Sequence, residues 1–250
     1  MEDTVIIRLF RGDANTGAEV DYEVKTFPGM VVLDAIHQIQ GTKDSTVACR
    51  WNCKAAKCGS CSAEINGKPR LMCKSRVEDY LDPNGMVHVH PLKTFPLIKD
   101  LVTDVSFNYS KAQQIPPLTV GADVPRPFRM KQMDVERVQE FRKCIECFLC
   151  QDVCHVLRDH NRKDGYFGPR YMVKLAALEI HPLDSLNRLE QLKNEGGLGF
   201  CNITKCCEEV CPEHIKITDN AIIPLKERVA DEYYDPIAKL IRKVLGIKKS

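Results

Sequence analysis

The sequence predicts an α+β protein in two parts, a small sheet domain followed by a mostly helical one. Three observations carry this. Apolar residues alternate along much of the first hundred positions, a proline-rich stretch then breaks the pattern, and beyond it the apolar spacing and capping residues are helical. The parts are expected at residues 1–105 and 106–250, and 250 residues are enough for each to bury its own core.

Val5, Ile7 and Leu9 alternate, as do Val20, Tyr22 and Val24, with Gly12 and Gly17 among the turn formers between them. That is the pattern of a β-hairpin. Val32, Ile36 and Ile39 have helical spacing, so a helix is expected over residues 31–40, with Gly41 as its C-cap. Asn66-Gly67 is a two-residue hairpin turn between short apolar runs. Val87 and Val89 alternate with His88 and His90 in one more strand. From 108 to 128 the chain is weakly patterned and carries Pro116, Pro117, Pro125 and Pro127, as a linker laid over the surface would.

Beyond it, Asp134 is placed to cap a helix over 135–143, and Pro169 to occupy the first position of one reaching Ile180. Thr218 or Asp219 would cap a third reaching Ala230, with Pro224 kinking or splitting it. The tail places Ile237, Leu240, Ile241, Val244 and Leu245 on one helical face with five basic residues around them. Such a face suits anionic headgroups or packing on its own domain.

A formal charge of +2 argues neither for nor against a nucleic-acid partner, and with no long basic block interleaved with aromatics no nucleic acid is expected among the partners. No apolar run approaches the ~18 residues of a spanning helix. The start, MEDTVIIRLF, is unlike a targeting segment, so the chain is expected to stay where it is made.

The 13 cysteines are an odd number in tight local groups, which favours thiolate-ligated metal in a reducing compartment over a disulfide framework. Cys53, Cys58 and Cys61, in C-x4-C-x2-C spacing and followed by Cys73, have the plant-type [2Fe–2S] arrangement. Gly59 and Ser60 let the backbone approach the sulfurs. A four-cysteine zinc site is the alternative, and Cys49 lies outside the pattern.

Cys144, Cys147 and Cys150 are spaced for three corners of a cubane. In two-cluster ferredoxins the fourth Cys of such a run ligates the other cluster. That crossover makes Cys144, Cys147, Cys150 and Cys211 the [4Fe–4S] set and leaves Cys154, Cys201 and Cys207 for a second cluster. Thr204 stands where its fourth ligand would be, which predicts [3Fe–4S]. Cys206, beside Cys207, is a packed thiol or a substitute fourth ligand.

Three such clusters in this order, the segments PLKTFPLIKDLVTDVSFNY and FGPRYMVKLAALEIHPLDSLNRL, and the stretch CPEHIKITDNAI together resemble the iron–sulfur subunits of succinate dehydrogenase and fumarate reductase. The resemblance implies a β-grasp plant-type ferredoxin domain followed by a helical dicluster ferredoxin-like domain. It also implies an electron-transfer subunit of succinate dehydrogenase, working between an FAD-containing flavoprotein subunit and quinone at a membrane anchor. Such a subunit would lie on the cytoplasmic face of a bacterial membrane. A fumarate reductase or a relative of heterodisulfide reductase is the alternative. Family members that reduce ubiquinone tend to have Pro and Trp soon after the first Cys of the third cluster. Here Cys154 is followed by His155, and the sole tryptophan is Trp51, so the resemblance favours menaquinone. His155, Asn202 and Thr204 are the candidates nearest the quinone.

Overall fold

The computed structural model describes residues 4–236 and consists of two compact units. The basic face over 237–250 lies outside the described residues.

The first unit is built on a mixed five-stranded sheet of order β2-β1-β5-β3-β4. Strand β1 (Thr4–Gly12) pairs antiparallel with β2 (Gly17–Lys25), in a register that sets Val5 opposite Val24 and Ile7 opposite Tyr22. After α1 (Val32–Thr42) come β3 (Ser62–Ile65) and β4 (Lys68–Leu71), joined by Asn66 and Gly67, both at positive φ as this tight turn requires. Strand β5 (Met86–His90) runs parallel to β1 and antiparallel to β3. Period-2 alternation places Ile7, Leu9, Val87 and Val89 on one buried face, and Val32, Leu33, Ile36 and Ile39 of α1 share their core. The helix runs through Gly41 to Thr42. Gly41 is therefore no cap, and the final turn closes by a bond from the Lys43 N–H to the Ile39 carbonyl.

Two later segments, 145–153 and 210–212, belong to this unit. Phe148 and Leu149 enter its core, while Asp152 accepts from the Thr94 N–H at 2.9 Å and Gln151 donates to Asn108 at 3.1 Å. The approach to the first cysteine loop is pinned by Asp100, whose carboxylate accepts from the N–H groups of Gly12 and Ala48 and pairs with Arg11.

Among the described residues, the second unit holds 109–144, 154–209 and 213–236. Its helices include Gln132–Gln139, Pro169–Glu179, Arg188–Asn194 and Ile223–Tyr233, around a core of Tyr166, Phe167, Tyr171, Met172, Leu175, Leu192 and Ile222. Pro169 begins its helix as expected, after Gly168 at φ +88°. Asp134 lies inside the first turn of its helix and Lys131 is the cap position, because the chain becomes helical three residues earlier than the apolar pattern does. Neither Thr218 nor Asp219 caps. Both lie within a π-helical segment, Ile217–Ile222, and the α-helix begins at Ile223 with Pro224 in its first turn. The carboxylates of Glu140 and Glu208 accept from the N–H groups of Lys216 and Thr218, taking over the capping role.

The proline-rich stretch is more ordered than a surface linker. Ser106–Gln113 is a helix, Ile115 is buried, and the buried Arg188 guanidinium donates to the Pro116 and Pro117 carbonyls at 2.8 and 2.9 Å while pairing with Asp184.

Candidate metal centres

Cys53, Cys58 and Cys61 lie on the loop between α1 and β3, and Cys73 follows β4. The Met72 N–H donates to the Cys61 carbonyl at 3.0 Å, which ties the second segment to the first. Lys54 and Ala56 both adopt positive φ. That alternation turns successive N–H groups to one side as an anion-binding nest, and those of Ala55 and Lys57 point at the Cys53 sulfur, each at 3.3 Å. Burial works to raise the Cys58 thiol, but donors from Ser60 and nearby backbone outweigh it and bring it down to about 7. Burial pushes the Cys61 thiol up to about 12. Four cysteines on neighbouring segments, with N–H groups turned onto the Cys53 sulfur, fit a [2Fe–2S] cluster. Cys49 packs on the core, its thiol pushed up to about 12 by burial.

In the next run, Cys144 ends the short 3-10 turn Glu140–Lys143. Cys147 stands between Glu146 and Phe148, again two non-glycine residues at positive φ, and Cys150 is buried in the turn Leu149–Asp152. Cys147, Cys150 and Cys211 fall in the first unit, alongside the first cysteine loop. The contact is close. A Cβ on Gly59 would lie 2.5 Å from the Cys147 Cα, the Ser62 hydroxyl lies 2.9 Å from the Cys147 carbonyl, and Lys74 Nζ donates to the Pro212 carbonyl at 3.1 Å.

The third group lies in the second unit. Cys154 precedes the turn His155–Arg158, Cys201 follows the 3-10 turn Leu198–Phe200, and Cys207 opens inward from the turn Cys206–Glu209. Burial pushes the Cys154 thiol up to about 11 and that of Cys207 to about 12, and in each case Cys201 and Cys206 are close enough to add to the shift. Cys207 Sγ also has the Thr218 hydroxyl 3.8 Å away. Thr204 is exposed between Ile203 and Lys205, a third pair at positive φ, and its hydroxyl lies 3.3 Å from Cys206 Sγ. Asn202 is exposed, and the half-buried His155 meets His160 edge to face at 5.9 Å. Among the described residues no three Cys, His, Asp or Glu side chains converge as one bare metal ion requires. A cluster spreads its thiolates over several irons.

Sequence reasoning missed the three positive-φ pairs, the Cys147 contacts and Tyr166, which is buried against the third group. The residue types at positive φ are Lys, Ala, Glu, Phe and Ile, so nothing in their chemistry signals the conformation.

A 2Fe-2S iron-sulfur cluster binding domain family matches residues 4–109, and a 4Fe-4S dicluster domain family matches 140–215. The chain is 30% identical over 227 residues to the succinate dehydrogenase iron-sulfur subunit of Bacillus subtilis, covering 86% of this chain and 87% of that protein. It is 31% identical to the fumarate reductase iron-sulfur subunit of Mycobacterium tuberculosis, covering 78% of this chain and 79% of that protein. Among solved structures, a chain of the Mycobacterium smegmatis Sdh1 complex in the apo form superposes with a TM-score of 0.91 at 58% identity, over 95% of this chain and 100% of that one. With the β-grasp sheet, the helical second unit and the cysteine runs in place, the chain belongs to the iron–sulfur electron-transfer subunits of the succinate dehydrogenase and fumarate reductase family.

Proposed function

We propose that this chain is the iron–sulfur subunit of a succinate dehydrogenase, carrying electrons from the flavin of a flavoprotein subunit to quinone at a membrane anchor. In this reading Cys53, Cys58, Cys61 and Cys73 hold a [2Fe–2S] cluster, Cys144, Cys147, Cys150 and Cys211 a [4Fe–4S] cluster, and Cys154, Cys201 and Cys207 a [3Fe–4S] cluster. When bound, these clusters accept and release single electrons, and the protein's ligands and hydrogen bonds set their potentials. The observation that carries the reading is the contact of Gly59 and Ser62 with Cys147, reinforced by Lys74 on Pro212, because short separation is what a chain of one-electron carriers needs.

The 58% identity to a chain of an Sdh1 complex favours succinate dehydrogenase over fumarate reductase, and the M. tuberculosis relative keeps the second direction as the rival reading. No helix among the described residues is long and apolar enough to cross a membrane. In this reading the subunit docks on a separate membrane anchor, at the cytoplasmic face of a bacterial membrane. We assign menaquinone as the acceptor, with His155, Asn202 and Thr204 nearest to it, since the Pro and Trp of ubiquinone-reducing relatives are replaced by His155 and its neighbours.

EPR spectra of the anaerobically purified complex, with iron counted per chain, test this. About nine irons with an oxidised-state three-iron signal is the expected result. About ten irons without that signal means a fourth ligand completes the third cluster and overturns the [3Fe–4S] assignment.

A further inference from the structure

Tyr166 is fully buried, and its hydroxyl has no hydrogen bond of ordinary geometry among the described residues. Buried hydroxyls without partners are rare and destabilising, so each needs a reason. This one addresses Cys201, with Cys154 and Cys207 also within electrostatic reach.

Its position is held tightly. The Tyr166 N–H donates to the Arg162 carbonyl at 2.9 Å and the Phe167 N–H to the Gly196 carbonyl at 3.1 Å. Gly197 sits at φ +63°, where a Cβ would come 1.8 Å from the Gly165 carbonyl, so the loop carrying Tyr166 and the strip leading to Cys201 are locked together. Phe200 closes the other side of Gly165. The neighbours that fix Tyr166 are thus the residues that present Cys201.

We infer that the Tyr166 hydroxyl donates a hydrogen bond to a sulfur of the cluster held by Cys154, Cys201 and Cys207, and so raises its reduction potential. The inference rests on the three-cluster reading above. Reduction adds negative charge to a cluster, and a hydrogen bond to its sulfur stabilises that charge more than it stabilises the oxidised form. At neutral pH a tyrosine keeps its phenolic proton, so the hydroxyl is a neutral donor. Tyr166 is therefore a positioning residue and is not itself reduced or oxidised.

The test is a redox titration of the intact complex, reduced by dithionite through mediators and followed by the EPR signal of the third cluster. Tyr166→Phe removes the donor and keeps the ring. At a fixed potential its reduced-to-oxidised ratio should fall about tenfold, or about 59 mV for a one-electron couple, while the [2Fe–2S] potential stays put. A Phe variant that retains the signal and titrates with the parent overturns the inference. Should that variant not assemble, 3,5-difluorotyrosine at position 166, a stronger donor of nearly the same shape, decides: an upward shift supports the inference and an unchanged potential overturns it. Absence of a three-iron signal from the unsubstituted protein overturns the underlying cluster assignment instead, whatever the variants do.

Discussion

Gly59 lies against Cys147 with no room between them for a side chain. Gly59 adopts φ +70°, and a Cβ there would sit 2.5 Å from the Cys147 Cα and 2.9 Å from its amide nitrogen. Residues 88 positions apart thus bring the loop of the first cysteine group against the run of the second, and the Ser62 hydroxyl donates to the Cys147 carbonyl.

Gly59→Ala should therefore harm both groups. The left-handed conformation alone costs an L-residue about 1–2 kcal/mol, and the overlap is with backbone, which yields little. Thermal unfolding together with iron content checks this: a lower midpoint and iron lost from more than the [2Fe–2S] site are expected, and an unchanged midpoint contradicts the close approach.

Arg188 is a second fixed point. It is 1% exposed, donates to Asp184 at 2.8 Å and to the Pro116 and Pro117 carbonyls, and holds the proline-rich stretch in the second unit. Arg188→Met leaves the buried Asp184 carboxylate with the Thr119 N–H but without its cation, a loss of about 3–5 kcal/mol. Arg188→Lys should recover only part of it, since an ammonium cannot span the carboxylate and both carbonyls. Urea denaturation of the two variants ranks them.

Cys49 gives a pH dependence with a definite sign. Its folded value is pushed up to about 12 by burial, against about 8.5 in an unfolded chain. The unfolded state loses its proton first, so the contribution to stability is complete below about pH 8.5 and erodes as pH rises toward the folded value. Cys49→Ala should flatten the alkaline limb of a stability profile. Alkylation of the native protein at about pH 8 should label Cys49 roughly a thousandfold more slowly than a free thiol, as mass spectrometry can measure.

Thr204→Cys should supply the missing ligand, raising the iron count from about nine to about ten per chain and abolishing the oxidised-state three-iron signal. Cys206→Ser should leave both unchanged. Loss of iron in the serine variant would make Cys206 a ligand.

Local signals were legible where one element decides its own conformation. The alternation of Val5, Ile7 and Leu9 against Val20, Tyr22 and Val24, the Asn66-Gly67 turn and the Pro169 start all appear where the sequence places them. Pro224 separates two kinds of helix as expected, though the segment before it is π-helical. Gly41 and Asp134 misled because a glycine or an acidic residue near a helix end is compatible with being inside it.

By itself the sequence determined the two-part α+β architecture and its iron–sulfur character, because periodicity and cysteine spacing are properties of short stretches. Only the tertiary structure decided that residues 145–153 and 210–212 join the sheet unit, that Lys54 and Ala56 take positive φ beneath Cys53, and that Tyr166 is buried facing Cys201. Each of these depends on groups far apart in the chain that must be packed before a strained backbone or a buried hydroxyl can be stabilised, and no local pattern encodes such a contact.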